Sequence, residues 1–352
     1  MTPTHVVTLN PLNDPRWDVF VESHPKASIF HTSGWLKSLQ STYGYEPFAV
    51  TTSRNEEPLS NAIVACRVRS WITGSRLVSL PFSDHCDPLI QESEQERVLF
   101  EAIKREVQHT GSRYVELRPL GDFAERCHAD AHIRIDETHC IHRLCLSPST
   151  RELFQQFHKS CVRRTIRKAQ SVGLCHEEGR SEELLQQFYT LLLMSRRRKH
   201  LPVQPIDWFR NLILNLGQKL RIMVASISDV PIASIITCHH RDTVIYKYGC
   251  SDATHHRLGG MSLLIWKAIL EAKELGATCF DLGRSDNTNL GLIAFKNRWG
   301  GTKRSLPYYR SSDNFPAQSD ISWKHAVFDK SRPYLPTSLI ELASKRLYRH
   351  AG

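Results

Sequence analysis

The chain has 352 residues, which at roughly 100–200 residues per domain predicts two domains, each large enough to bury its own core. Apolar residues make up 41% and charged residues 23%, with 17 Gly and 17 Pro, a globular composition that excludes wholesale disorder and low-complexity or collagen-like structure. Lys and Arg number 46 against 36 Asp and Glu, and the resulting charge of +10 favours anionic partners such as nucleic acid, a phosphorylated carrier or an anionic membrane face.

No run approaches the ~18 consecutive apolar residues of a spanning helix, and Met1 to Asn10 lacks a basic segment followed by an apolar one. A non-exported, cytoplasmic protein without a transmembrane segment is expected. Ten Cys at irregular spacing, with no C-x-x-C pair, read as reduced thiols rather than a disulfide framework.

Along the chain, Glu46 to Ser53 and Ala62 to Val68 alternate around the turn Asn55-Glu56-Glu57-Pro58 and predict a hairpin, with Arg76 to Pro81 as a third strand. A helix from about Glu92 to Thr110 ends at Gly111, and Tyr114 to Arg118 returns as a strand. A helical insert follows, from about Ser149 to Val172 and from Ser181 to Leu216, broken at Leu201-Pro202.

The second half repeats the first. Arg221 to Ser228 and Ile232 to His239 flank Asp229-Val230-Pro231, and Thr243 to Tyr248 is a third strand. A helix from about Leu258 to Leu275 carries Leu264, Ile265, Ala268, Ile269 and Ala272 on one side, and Gly276 stops it. The closing strands correspond: glycine, an acid five residues on, then leucine, at Gly111, Glu116, Leu117 and at Gly276, Asp281, Leu282. An internal duplication of a mixed α/β unit accounts for this order. A helical pattern from about Ser338 to Arg349 closes the chain.

Chemistry-bearing residues fall in four places. Tyr248-Gly249-Cys250 leads through Arg257-Leu258-Gly259-Gly260 into a helix N-terminus, whose N–H groups suit a diphosphate or an oxyanion. The two glycines would admit a phosphate closely, or simply cap the helix. Arg163, Arg164, Arg167 and Lys168 form a stripe opposite Val162 and Ile166, and Arg196 to Lys199 form a second basic run; antiparallel packing of the two helices would merge them. The Cys/His group from Cys127, His128 and His132 to His139, Cys140, His142 and Cys145 lacks zinc spacing, and a strand from His139 splits it between two faces, so no metal site is expected.

Hairpin, strand, glycine turn, helix and strand is the plan of the GNAT acyltransferase fold, and two copies joined by a helical insert resemble the FemAB family of aminoacyl and peptidyl transferases. The segments Phe30-His31-Thr32-Ser33-Gly34-Trp35-Leu36-Lys37, Leu80 to Leu89, Arg164 to Ala169, Phe280-Asp281-Leu282-Gly283-Arg284 and Phe295 to Gly300 carry this resemblance. It implies tandem GNAT-like domains, 1–148 completed by 305–352, and 149–304 with an insert at 149–217. It also implies transfer of an acyl group to an amine, with no covalently bound cofactor.

By resemblance the family's functional lysine falls on Lys296 and its acceptor-side carboxylate on Asp87, with Asp84 the next candidate. Lys37, Arg197 and Tyr248 match positions at the acceptor. Arg257, Gly259, Gly260, Arg164, Arg167 and Lys168 are the candidates for a phosphate-bearing donor. From the residues alone, Lys296 also reads as a solvated helix lysine and Asp87 as an Asx turn before Pro88. The loop Asp84 to Asp87 departs from the arginine-glycine-proline form of the peptidoglycan-bridge enzymes and resembles a branch linked to cell-envelope or exopolysaccharide precursors. Acyl-CoA is the implied co-substrate, the alternatives being aminoacyl-tRNA with a peptidoglycan precursor, and a non-enzymatic module binding tRNA or glycan.

Overall fold

The computed structural model of the chain describes residues 5–121, 133–312 and 348–350. Of these, 5–121, 133–139, 305–312 and 348–350 form one unit and 140–304 a second. Cys127, His128 and His132 lie outside the described residues, as does the predicted C-terminal helix except for Tyr348 and Arg349.

The first unit opens with β1 (Val7–Leu9), α1 (Arg16–Ser23) and α2 (Ser33–Tyr43). It continues with β2 (Glu46–Thr51), β3 (Ile63–Val68), β4 (Arg76–Val78), α3 (Ser93–His109) and β5 (Val115–Leu117). β2 and β3 pair antiparallel with Phe48 opposite Ala65, β3 and β4 antiparallel with Arg67 opposite Leu77, and β4 and β5 parallel with Leu77 opposite Val115. Leu99, Ile103 and Val107, at i, i+4 and i+8 on α3, bury against Phe48, Val50, Ile63, Ala65 and Leu77.

Between the halves runs β6 (Ile133–Cys145), and in the second unit α4 (Thr150–Gln156), a π-helical turn at Lys159–Arg163 and α5 (Arg164–Ser171) follow. Then come β7 (Cys175–Gly179), α6 (Glu182–Arg198), α7 (Ile206–Leu216), β8 (Leu220–Ile227), β9 (Val230–His240) and β10 (Thr243–Ser251). α8 (Gly260–Glu274), β11 (Cys279–Asp286), α9 (Leu290–Asn297) and β12 (Thr302–Ser311) complete the order. Ser149 and Ser181 are N-caps, accepting from Glu152 N and Leu184 N. β8, β9 and β10 are antiparallel neighbours and β10 with β11 is parallel, the pairing seen for β2 to β5.

All five predicted apolar residues of α8 join one core with Met223, Ala225, Ala233 and Ile235. α5 lies on α8, and its Ile166 enters the same core. α6 lies on the same three strands, and alternation leaves it the opposite face, that of Ile222, Val224 and Ile236. The two basic helices are therefore on opposite faces of the sheet, which corrects their expected antiparallel packing. β7 is an edge strand that the sequence did not announce, because Cys175-His-Glu-Glu-Gly179 has no apolar alternation.

Candidate active site

β10 and β11 pair from Thr243 opposite Cys279 to Ile245 opposite Asp281, and there the pairing ends, although β10 runs on to Ser251 and β11 to Asp286. Two local devices separate them. The register of β10 on β9 shifts between Tyr246 and Tyr248, so Lys247 is an extra residue and the strand bends. In β11, Gly283 has φ +74°, a left-handed conformation that side chains disfavour. Asp281, fully buried, holds this turn: Oδ1 accepts Gly283 N–H at 2.7 Å while Oδ2 accepts Arg143 Nε–H at 3.2 Å.

Lys296, in the last turn of α9, is 2% exposed and donates from Nζ to the carbonyls of Gly283 (2.7 Å) and Arg284 (2.9 Å). It is a buried cation bound to the strand that has parted from β10, so the solvated-lysine alternative does not hold. Next to it, Asn297 Oδ1 lies 2.8 Å from His142 Nε2, and burial holds that imidazole below its ordinary pKa.

Beyond β10, Asp252 caps a 3₁₀ turn at Ala253–Leu258, accepting from Thr254 N. Gly259, at φ +83°, passes the chain into α8, which has no side-chain N-cap, leaving its first-turn N–H groups for another partner. A Cβ on Gly259 would lie 2.9 Å from Thr165 O, and one on Gly260 would lie 3.1 Å from the Ala233 Cβ. Packing on α5 and on the sheet already takes the space that these glycines were expected to leave for a phosphate. What the turn offers an anion is its N–H groups and the exposed Arg257.

Basic side chains reach this turn from both sheet faces. α5 touches it through Thr165 and presents Arg164, Arg167 and Lys168 to solvent. The end of α6 is tied to β10 by Ser195 Oγ, which donates to Ser251 O at 3.0 Å and accepts Ser251 N–H at 3.1 Å. Burial, with Arg198 and Lys199 nearby, lowers the pKa of His256 in the turn. Arg197 is exposed on the same helix end. Tyr248 is half-buried; its hydroxyl accepts from Trp208 Nε1 at 2.8 Å and its ring stands edge-on to Phe188 and Phe209.

In the first unit the corresponding opening beyond β4 and β5 is filled. Arg118 lies two residues after Glu116; its guanidinium donates to Glu116 Oε1 at 2.7 Å and to the carbonyls of Leu80 and Ser83 at 3.2 Å. Cys86 N then donates to Arg118 O. The loop so held contains Asp84 and Asp87. Tyr308 O–H donates to Asp84 O at 2.7 Å, and Asp87 Oδ1 accepts Leu120 N–H at 2.9 Å.

Two of the sequence blocks meet here, since Phe30 packs edge-on to both Trp35 and His85. His31 Nδ1 accepts Ser28 N–H, so Nε2 carries the proton and donates to Asp87 O at 3.0 Å. With that proton in place His31 cannot act as a base for Cys86, 3.4 Å away, whose thiol burial pushes up. Lys37 is exposed on α2, which starts beside this packing. The candidate residues thus form two groups: Lys37, Asp84 and Asp87 in the first unit, the remainder in the second.

An acetyltransferase (GNAT) domain model matches residues 156–297, from the end of α4 through the parted strands to the residue after Lys296. The crystal structure of FemX superimposes with a TM-score of 0.72 at 14% identity, covering 88% of this chain and 97% of that one. Residues 156–297 are a GNAT-type acetyltransferase domain, and the chain as a whole shares the fold of FemX. A tandem GNAT protein from the clavulanic acid biosynthesis pathway gives a TM-score of 0.55 at 12% identity, over 89% of this chain and 99% of that one. The C-terminal domain of a putative lysylphosphatidylglycerol synthetase from Agrobacterium fabrum gives 0.51 at 12% identity, over 72% and 82%. A search of curated protein sequences gives no significant match.

Two parts of this GNAT site, the bulge at Lys247 and the left-handed Gly283, are not readable from the sequence, nor is the arginine that fills the opening in the first unit. Gly283 has a local signal in the acid two residues before it, whose carboxylate is placed to cap its N–H. For the bulge the signal is weaker. Gly249 accommodates the hydroxyl of Tyr246, which a Cβ would overlap, and the hydroxyl lies 3.7 Å from Met261 Sδ.

Proposed function

We propose that the protein transfers an acyl group from a CoA thioester to an amine of a cell-envelope or exopolysaccharide precursor in the cytoplasm. The observation that carries this reading is the parting of β10 from β11 beyond Ile245 and Asp281. One edge of β10 is no longer taken by β11, and main-chain groups there need partners, which an extended chain of amides can supply. At the end of β10 the uncapped start of α8 and Arg257 offer donors for the phosphates of such a carrier.

The neutral amine attacks the thioester carbonyl and a C–N bond forms; the tetrahedral oxyanion collapses, the C–S bond breaks, and the proton lost from the nitrogen is balanced by one taken up by the thiolate, which leaves as the thiol. In this reading Lys296 supplies a fixed positive charge beside the parted strand. Asp87 is the acceptor-side carboxylate, its loop positioned by His31 and Arg118. Leu80 and Phe82 in this loop have φ +60° and +63°, a strain of about 1–3 kcal/mol each that a packed surround must hold, as functional loops often require.

The test is calorimetry of the full chain with acetyl-CoA, beside thiol release on adding amino-sugar acceptors. Binding and acceptor-dependent release support the reading. Binding of charged tRNA with none of the thioester replaces it by aminoacyl transfer, a second reading favoured by the exposed Arg164, Arg167 and Lys168 on the helix that packs against Gly259.

A further inference from the structure

The loop joining β3 to β4 holds the most exposed large apolar side chain among the described residues, Trp71 at 87%, with Ile72 beside it at 40%. The loop itself is braced. Ser70 Oγ accepts the N–H groups of Ile72 (3.2 Å) and Thr73 (2.9 Å), so its own proton goes to His350 Nδ1 at 2.9 Å. Arg76 donates to Thr73 Oγ1 at 2.6 Å and Arg113 to Thr73 O at 3.3 Å. The His350 ring stands edge-on to the indole, 5.4 Å away. With its backbone held at these points the loop cannot turn Trp71 inward, and the exposed indole is a fixed feature of the surface.

Beside the loop a recess of about 310 Å³ is lined by Arg67, Arg69, Arg76 and His109, with Ser75 and Ser112 in its wall and Glu46 opposite. Glu106 meets Arg67 at 2.9 Å and Glu46 meets Arg69 at 3.4 Å. Of the side chains that line the recess, three are arginines and one, Glu46, is a carboxylate.

A fixed indole next to an arginine-lined recess matches the chemistry of a lipid interface: the ring sits at headgroup depth while guanidinium groups take phosphate oxygens. We propose that the β3–β4 loop docks the protein on an anionic phospholipid surface, Trp71 and Ile72 entering the interface and a lipid phosphodiester lying in the recess. The loop precedes β4, whereas the loop bearing Asp84 and Asp87 leaves from the strand's other end. Docking therefore leaves that loop open.

The full chain is sedimented with vesicles of phosphatidylcholine alone and of phosphatidylcholine mixed with phosphatidylglycerol. Salt-sensitive binding to the mixed vesicles is expected, lowered roughly tenfold by Trp71→Ser and roughly fivefold by Arg69→Ser. Both side chains are exposed, so both variants keep the wild-type unfolding midpoint. Equal sedimentation with the two vesicle types, or no effect of Trp71→Ser, overturns the proposal. Binding to the mixed vesicles that Arg69→Ser leaves unchanged also overturns it, since the recess then takes no lipid phosphate. A wild-type dimer that Trp71→Ser converts to monomer would instead assign the patch to a second copy. No acyl donor enters these measurements, so their outcome is independent of the reaction proposed above.

Discussion

Lys296 serves two purposes at one atom. Its ammonium satisfies the carbonyls of Gly283 and Arg284 and places a charge inside the second unit. Lys296→Met should lower turnover by roughly 10²–10³ if that charge meets the oxyanion. It should also destabilise the fold, at about 1–3 kcal/mol for each buried carbonyl left without a partner. The sequence alone suggests charge without packing, and hence an unaffected fold; the two carbonyls change that expectation. Turnover near wild type in the folded variant would remove Lys296 from the chemistry. Gly283→Ala tests the strand turn independently, since a Cβ at φ +74° costs about 1–2 kcal/mol; chemical denaturation should register that loss.

At the scale of elements, α5 and the turn before it divide into an inner side of Val162, Ile166 and Ala169 and an outer side of Arg164, Arg167 and Lys168. Replacing the three outer residues by alanine should leave stability nearly unchanged. Affinity for a phosphate-bearing ligand should fall, and with nucleic acid the log–log salt slope should shrink by about 0.7–0.9 for each phosphate no longer neutralised. An unchanged slope and affinity would make this face merely solvated. The same helix shows what is legible in the sequence. Its buried stripe follows from 3.6-residue periodicity, as do α3 and α8, and the hairpins follow from alternation around turn residues. β7 is hidden because an edge strand of His and Glu has no apolar face to reveal it. The parted strands are hidden because they arise from one extra residue at Lys247 and one positive φ at Gly283, neither of which alters the hydrophobic pattern. Lys296 and Asp87 come from resemblance, and spacing alone leaves both open.

For the molecule as a whole, burial holds His142, His176, His256 and His350 below the ordinary histidine pKa of 6.5. The unfolded chain therefore binds more protons than the folded one once pH drops through that value, and stability must fall with it. Asp14, Glu182 and Asp252, held below their ordinary values by hydrogen bonds, withdraw their support only at more acidic pH. A urea midpoint that declines from about pH 7 to about pH 5 is expected; a flat profile over that interval would contradict the burial of these rings.

Arg118, two residues after Glu116, has a further consequence, one of counting. A gene duplication that preserved both copies intact would leave two openings per polypeptide, and a carrier would titrate with a stoichiometry of two. Arg118 instead threads its guanidinium into the first copy and bonds the carbonyls of Leu80 and Ser83, whereas the equivalent place in the second copy is a glycine. Donor binding should therefore saturate at one equivalent per chain, and a second equivalent in the calorimeter would mean that the Arg118 side chain yields to a ligand.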